Sequence, residues 1–589
     1  MSGHDRGDLG SAVIAGLLCA AVVAAVYQPA LGNDFVWDDW VPLVNTPMFR
    51  EPSQWLQALL APPLHDRVAF RPIAMLSFML QLWAGQTEAG PFHLVNVAIH
   101  CASVLLLVLL VRRVLIGRVA APDASVLPAA AACGLAYGLH PALSEPVIWI
   151  SCRYDLLMAF FLALALLADR VRPANGWKRA VLTGTAFLGA AFCKESAVGL
   201  LLALPFFHLA LDRDLRGSWR VYVALFSASL LYLAARFAAS GASLGMERMA
   251  VQFGDIPSAA QRVLVVVASM AYYIRDSVWP FQGLTPSRAL QLPIQPGDVL
   301  PVVALGAAVT AAALLAALGG SAGRTLALLF VAFLAAVAPM SNVSPLPGRF
   351  GQVWASSRYL AFPLLLLCLT LPFAWRVAEA CLAGVFTHAR TLLSVLAVAW
   401  LAGSMVNVRG IIPLWANDGA MNLWAVEQGA AAHWRYGNLG EYYLKVGAHR
   451  EAREALQHAI DLRGDVPGYW YHLGVADVAL GDAGQAEQAF RRSLALDPNA
   501  IRSRLNLARM EMAAKHYADA AKLLEAGAAA LDRADEPGNE GALHFLLGKA
   551  YAAMGRADEA EAQLRAALAL AASPHERAAA EAALRSVRP

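Results

Sequence analysis

Apolar residues in this chain come in long blocks instead of the narrow stripes of a surface helix. Blocks of roughly 17–25 residues are long enough to cross a bilayer as helices. They fall near 11–31, 91–111, 125–142, 153–169, 180–193, 196–211, 220–238, 299–318, 325–340, 359–375 and 391–407, two of them short. Cations alternate with the blocks. Arg112, Arg113 and Arg118 follow the second; Arg170, Arg172, Lys178 and Arg179 the fourth; Arg213, Arg216 and Arg220 the sixth. Arg324, then Arg376 and Arg390, continue the pattern. Lys and Arg gather on the cytoplasmic face, so the pattern predicts about eleven spans, with the amino terminus inside and the carboxyl-terminal region outside. The first apolar run, at about twenty residues, exceeds a signal-peptide core of 7–15 and reads as a retained span. Residues 263–279 carry an apolar run of only about twelve residues before Arg275 and Asp276, which predicts a helix on the outer face and not a further span.

From 433 onward the pattern changes to amphipathic helices rich in Ala, Glu, Gln and Arg, with a register. Gly440 aligns with Gly474, 34 residues on, Gly447 with Gly481, Ala452 with Ala486, and Leu456 with Phe490. A weaker copy has Ala508, Lys515, Ala520 and Leu524. A fourth, after an insertion at 533–540, has Gly548, Tyr551, Gly555, Ala560 and Leu564. A 34-residue period with small residues where helices cross is the tetratricopeptide pattern. The fold expected is all-α: a polytopic domain over 1–410 with a first outer loop at 32–90, a linker at 411–432, and about four repeats over 433–589.

Composition agrees. The 589 residues are 58% hydrophobic and 15% charged, with a formal net charge of +3, against roughly 25% charged in a soluble protein. So small a net charge gives no reason to expect nucleic acid. None of the seven cysteines forms a C-x-x-C pair. Cys152 and Cys193 fall near outer loops, where two unpaired apolar cysteines are expected over a disulfide.

Chemistry-bearing residues collect at the outer ends of the blocks. "NDFVWDDWVPLVN" sets Asp34, Asp38 and Asp39 among Phe35, Trp37 and Trp40, and "AFRPIAMLSF" sets Arg71 ahead of Pro72. His93, Asn96 and His100 recur at i, i+3 and i+7 and share one helix face. "LHPALSEPVIWISCRYD" carries His140, Glu145, Arg153 and Asp155; "FCKES" carries Lys194 and Glu195; "VWASSRYLAFP" carries Arg358 and Tyr359. Two readings stand for the helix-face trio, hydrogen bonds to neighbouring helices or a site. The cations either anchor helix ends by snorkelling or serve function. They lie outside, against the charge rule, and ionisable groups at membrane depth are functional candidates. Asp34 reads as a solvated exit residue.

The order "FVWDD", "FRP", "HLVNVAIH", "LHPALSEPVIWISCRYD", "CKES" and "RYLAFP", followed by the repeats, resembles the transmembrane and tetratricopeptide repeat-containing O-mannosyltransferases, relatives of the protein O-mannosyltransferases of the GT-C fold. The resemblance covers essentially the whole chain, most closely 30–210 and 433–570. It departs from the animal members in having few repeats and a high alanine content, which bears on acceptor and sugar more than on fold. It implies inverting transfer of a sugar, mannose in that family, from a polyprenyl-phosphate carrier to a protein hydroxyl. Asp38 then matches the base. Asp39 orients it or the acceptor, and a divalent metal (Mg or Mn) shared by Asp38 and Asp39 stays open. Arg153 and Lys194, then Arg71 and Arg358, are expected to meet the donor phosphate, with His93, Asn96, His100, His140, Glu145, Asp155, Glu195 and Tyr359 in support. The partners implied are the bilayer, the lipid-linked donor and an acceptor polypeptide held by the repeats. The place expected is a bacterial inner membrane with periplasmic repeats. A GT-C enzyme acting on a lipid or envelope glycan, and an inert scaffold displaying repeats, remain alternatives. A transporter fits less well, because the polar residues avoid mid-membrane.

Overall fold

The computed structural model describes residues 3–44, 46–60, 70–116, 125–170, 176–211, 215–240, 258–282, 284, 286, 288–291, 293–341, 352–428, 432–528 and 539–587. Arg118, Arg172, Arg213 and most of the insertion at 533–540 lie outside them. Two compact units form, Met1–Met421 and Asn422–Pro589. The stretch at 411–432 carries the short turn Ile412–Trp415 and the helix Asp418–Glu427, so the boundary falls inside a helix.

Backbone N–H and C=O groups in lipid must bond within their own segment, which makes helix the outcome for these apolar blocks. Seven stretches are long and apolar enough to cross a membrane: Leu9–Gly32, Ala89–Ile116, Ile150–Arg170, Arg216–Ala239, Pro296–Gly319, Ser321–Met340 and Ala389–Trp415. Val126–Gly138 and Pro141–Ile148, bent by 51°, make an eighth if they are one broken span. Seven or eight of the expected eleven thus form helices of spanning length among the described residues. Gly176–Ala191 has 16 residues and Gly199–Ala210 has 12. The block at 359–375 is interrupted by Pro363 and Pro372 into Pro363–Cys368 and Leu371–Ala383. The helix expected near 263–279 forms over Ala259–Val278, its apolar length broken by Arg262, Arg275 and Asp276.

One feature departs from all-α. Strands β1 (Arg288–Gln291) and β2 (Gln352–Ala355) pair antiparallel, with Arg288 opposite Ala355. Four residues are too few for an alternating pattern to register in sequence. The ladder fixes the chain just ahead of Ser356–Tyr359. The cysteines near the outer loops, Cys152 and Cys193, are both free and buried.

A buried network closes the helix ends opposite to those bearing Arg153 and Lys194. Asp169 accepts from Arg179 Nη2 at 2.6 Å and pairs with His208 Nε2 at 3.2 Å, and His208 Nδ1 lies 2.8 Å from the Tyr222 hydroxyl.

In the second unit all four helix pairs form: His433–Lys445 with His449–Leu462, Pro467–Leu480 with Ala483–Leu496, Ile501–Ala513 with Tyr517–Ala528, and Glu540–Ala553 with Ala557–Ala569. The register has a steric cause. A Cβ on Gly440, Gly474 or Gly548 would sit 2.4, 2.6 or 2.7 Å from Leu456, Phe490 or Leu564, the large residue of the facing helix. The turns between helices need a left-handed residue. Gly447, Gly481 and Gly555 supply it, and Lys515 adopts φ 66° in the third repeat at a cost of about 1–2 kcal/mol.

Candidate functional site

The loop after the first long helix leaves extended through Asn33–Val36 and turns at Trp37, which has φ 55°, before the short turn Trp37–Asp39. That turn separates the two acids. Asp38 is exposed, whereas Asp39 is fully buried. Asp39 Oδ1 accepts from Ser151 N at 2.7 Å and Ser151 Oγ at 2.5 Å, and Oδ2 accepts from Val36 N at 3.1 Å. Asp39 thus pins the turn to the loop at 139–153, every residue of which is buried. Pro141 and Pro146 break that loop into short turns, and its buried polar groups must find partners.

His140 shows how they do. Its Nδ1 accepts from Ala142 N, so Nε2 carries the proton and donates to Ser277 O at 3.0 Å. Asn96 donates to the carbonyls of Trp149 and Ile150, and His100 Nε2 reaches Gly138 O at 3.0 Å. For Asn96 and His100, neighbouring-helix bonding is the reading observed. His93 is buried beside the backbone of Asn33, Asp34 and Ile148.

The cations separate into two kinds. Arg153, expected to lead on the donor phosphate, is the most enclosed of them. It is fully buried, donating from Nε to Asn96 Oδ1 at 2.8 Å, Nη1 to Gln81 Oε1 at 2.5 Å and Nη2 to Phe92 O at 2.9 Å. Its guanidinium lies 4.3 Å from the Phe78 ring centroid. Those hydrogen bonds join Arg153 to the helices Pro72–Trp83 and Ala89–Ile116.

The other three each face a carboxylate from the supporting set. Lys194 Nζ meets both Asp155 oxygens at 2.6 and 2.7 Å, and both side chains are buried. Arg358 Nη1 reaches Glu145 Oε1 at 3.1 Å, and Ser356 Oγ donates to the same oxygen at 3.0 Å. Arg71 binds Glu195 through Nε at 3.2 Å and Nη2 at 2.7 Å. The Tyr359 ring lies 4.7 Å from Lys194 Nζ and 5.1 Å from the Arg358 guanidinium, and Arg71 lies 5.0 Å over Tyr154. Arg71 is the cation best placed for a phosphate, being 21% exposed with Nη1 unpartnered among the described residues.

Sequence reading missed Ser151, Gln81, Asp276 and Asp418. Asp276 accepts from Arg275 on its own helix and from Arg288 of β1 at 3.2 Å, tying the ladder to the helix Ala259–Val278. Ser151 stood inside a quoted motif but carries no ionisable group to flag it. Also missed was a column of rings. Trp149 stacks on Trp37 at 5.0 Å and 14° and on Trp415 at 6.1 Å and 23°, with Arg358 5.1 Å from its centroid.

No group of three His, Cys, Asp or Glu side chains among the described residues is arranged to hold a metal ion. Both Asp39 oxygens accept hydrogen bonds from the surrounding loop.

Burial pushes the Asp39 carboxyl up to about 7, with Asp38 adding to it, although the bonds from Ser151 and Val36 favour the ionised form. Because this pKa is raised on folding, the stability that Asp39 contributes is full below its ordinary value near 4 and is lost as pH rises through 7. The ionised form is the one that accepts at both oxygens. A rate that depends on this anchored turn is expected to rise with pH through about 7, and Asp39→Asn to remove that limb, read from a pH–rate profile.

The fold and site define a multi-pass helical membrane protein carrying tetratricopeptide repeats. The Tetratricopeptide repeat family matches residues 435–465, 467–500 and 542–574. Protein O-mannosyl-transferases Tmtc1 and Tmtc2 of Drosophila melanogaster are 32% and 29% identical to the chain, covering 32% and 33% of it and 22% and 21% of their own lengths. TMTC3 of Mus musculus is 28% identical over 31% of this chain and 20% of its own. The chain thus spans about a fifth of the curated relatives it matches. Over about a third of its length the chain is similar to proteins named protein O-mannosyl-transferases, and its carboxyl-terminal unit carries tetratricopeptide repeats.

Proposed function

We propose that this chain is an inverting glycosyltransferase that moves a sugar, mannose, from a polyprenyl-phosphate carrier to Ser or Thr hydroxyls of exported polypeptides. The observation that carries this reading is the divided acidic turn, with Asp38 exposed and Asp39 anchored on Ser151; Arg71, Lys194 and Arg358 each pair with a carboxylate of the same unit. A hydroxyl is a poor nucleophile near neutral pH, so a placed carboxylate must take its proton as the bond forms. Asp38 accepts that proton while the hydroxyl oxygen attacks the anomeric carbon. The bond from that carbon to the phosphate oxygen breaks with inversion, and the phosphate departs on its lipid. Arg71 and Arg358 meet the charge it gains, each such contact being worth about 2–4 kcal/mol at the transition state. Lys194, saturated by Asp155, supports Tyr359 and acts on the phosphate at longer range.

A lipid carrier accounts for the location, since its tail remains in hydrocarbon while its phosphate reaches the ends of the helices. The relatives' names favour mannose and a protein acceptor. The repeats would hold that acceptor. They offer a pocket of about 300 Å³ of mixed polar and apolar lining, with Tyr471, His472, Ser493, Asp497, Arg502 and Ser503 among its residues. The membrane would be the inner membrane of a bacterium, with site and repeats on its outer face.

Purified protein in lipid nanodiscs, given polyprenyl-phosphate mannose and an unfolded Ser/Thr-rich polypeptide, is expected to glycosylate the polypeptide and release polyprenyl phosphate. Transfer to a lipid or glycan alone would move the reading to an envelope glycosyltransferase. No transfer from any lipid-linked sugar would leave a scaffold.

A further inference from the structure

The acidic turn is held from one side by Ser151 and from the other by a segment almost 400 residues later. Asn33 Nδ2 donates to Ile412 O at 3.0 Å, and Asp34 N donates to Ala416 O at 2.9 Å. Trp37 N donates to Asp418 Oδ1 at 2.7 Å, and Trp40 Nε1 to Asp418 Oδ2 at 3.1 Å. One carboxylate therefore bridges the residue before the acidic pair and the residue after it.

Trp37 is also one of two described non-glycine residues with positive φ, at 55°. A bulky side chain there is strained, and such strain persists only where surrounding contacts over-determine it. The contacts here are Asp418 on the backbone N–H and Trp149 on the indole face. A more relaxed φ at Trp37 would swing the peptide that carries Asp38. The same ring column reaches Arg358, whose guanidinium lies 5.1 Å from Trp149, so Trp37 also sets the turn against the cation opposite.

We propose that Asp418 is a positioning residue: its carboxylate clamps Trp37 in the left-handed conformation and so fixes Asp38 relative to Arg358. This rests on the reading of Asp38 as the base. Asp418 touches no reacting atom in that scheme; it acts through the backbone of the turn.

Two measurements test it in the full chain, one independent of activity. Hydrogen exchange of a peptide covering 33–40 is expected to quicken about tenfold in Asp418→Ala, because the N–H of Trp37 loses its acceptor. Asp418→Asn keeps one acceptor oxygen and is expected to fall between. It carries the same test if the alanine variant does not fold. In the transfer assay kcat is expected to fall about 10- to 100-fold, as for a misplaced catalytic group, with KM for the lipid donor within about twofold. Unchanged exchange over 33–40 overturns the clamp. Faster exchange with unaltered kcat overturns its role in positioning. If the wild type transfers no sugar, the functional reading fails, while faster exchange in the variant still establishes the clamp.

Discussion

Asp38→Asn is expected to lower sugar transfer by about 10²- to 10⁴-fold, the usual loss when a general base is removed, while leaving the thermal transition nearly unmoved. The two halves of the expectation come from the same feature. Asp38 is exposed on the far side of a turn that Asp39, Ser151 and Asp418 hold. Removing its charge therefore strips a proton acceptor without breaking the anchor. The check is an initial rate with labelled polyprenyl-phosphate mannose, beside a melting curve in the same detergent. A variant as fast as wild type would remove Asp38 from the chemistry. A variant that melted much earlier would show that the turn depends on it structurally.

Lys194→Met is expected to destabilise the membrane unit by about 3–5 kcal/mol, the usual cost of leaving a buried charge unpaired. Asp155 faces Lys194 through both oxygens in a site where both side chains are nearly excluded from solvent. The double variant Lys194→Met with Asp155→Asn is expected to recover most of that loss, because neither remaining group carries a buried charge. A double-mutant cycle on unfolding midpoints reads the coupling. Arg71→Ala should behave in the opposite way, lowering kcat for transfer by about 10²- to 10³-fold with little loss of stability, since Arg71 and Glu195 are 21% and 41% exposed and solvent-accessible pairs contribute at most about 1 kcal/mol. A Lys194 variant as stable as wild type would show that the pair does not hold the helix ends.

Two cations of similar sequence context thus have different roles. "CRYD" and "FRP" each place an Arg at the start of a helix, and nothing local distinguishes Arg153 from Arg71. The difference is that Asn96, Gln81 and Phe92 converge on Arg153, whereas Arg71 meets one carboxylate at an open edge. The acidic pair follows the same logic. Adjacent acids in sequence are equivalent until a left-handed residue and a serine from another loop turn one inward.

What the sequence by itself determined is what depends on near neighbours. Block hydrophobicity set the helices, because in lipid a segment must satisfy its own backbone. The 34-residue register set the repeats, because each glycine lies against a large residue of the adjacent helix. Only the structure showed where helices end inside a block, as 359–375 divides into Pro363–Cys368 and Leu371–Ala383. Only it chose which charges are closed off. Burial and pairing arise between residues hundreds apart, as in Trp37 with Asp418 across 381 positions, and no pattern along the chain encodes which partners meet.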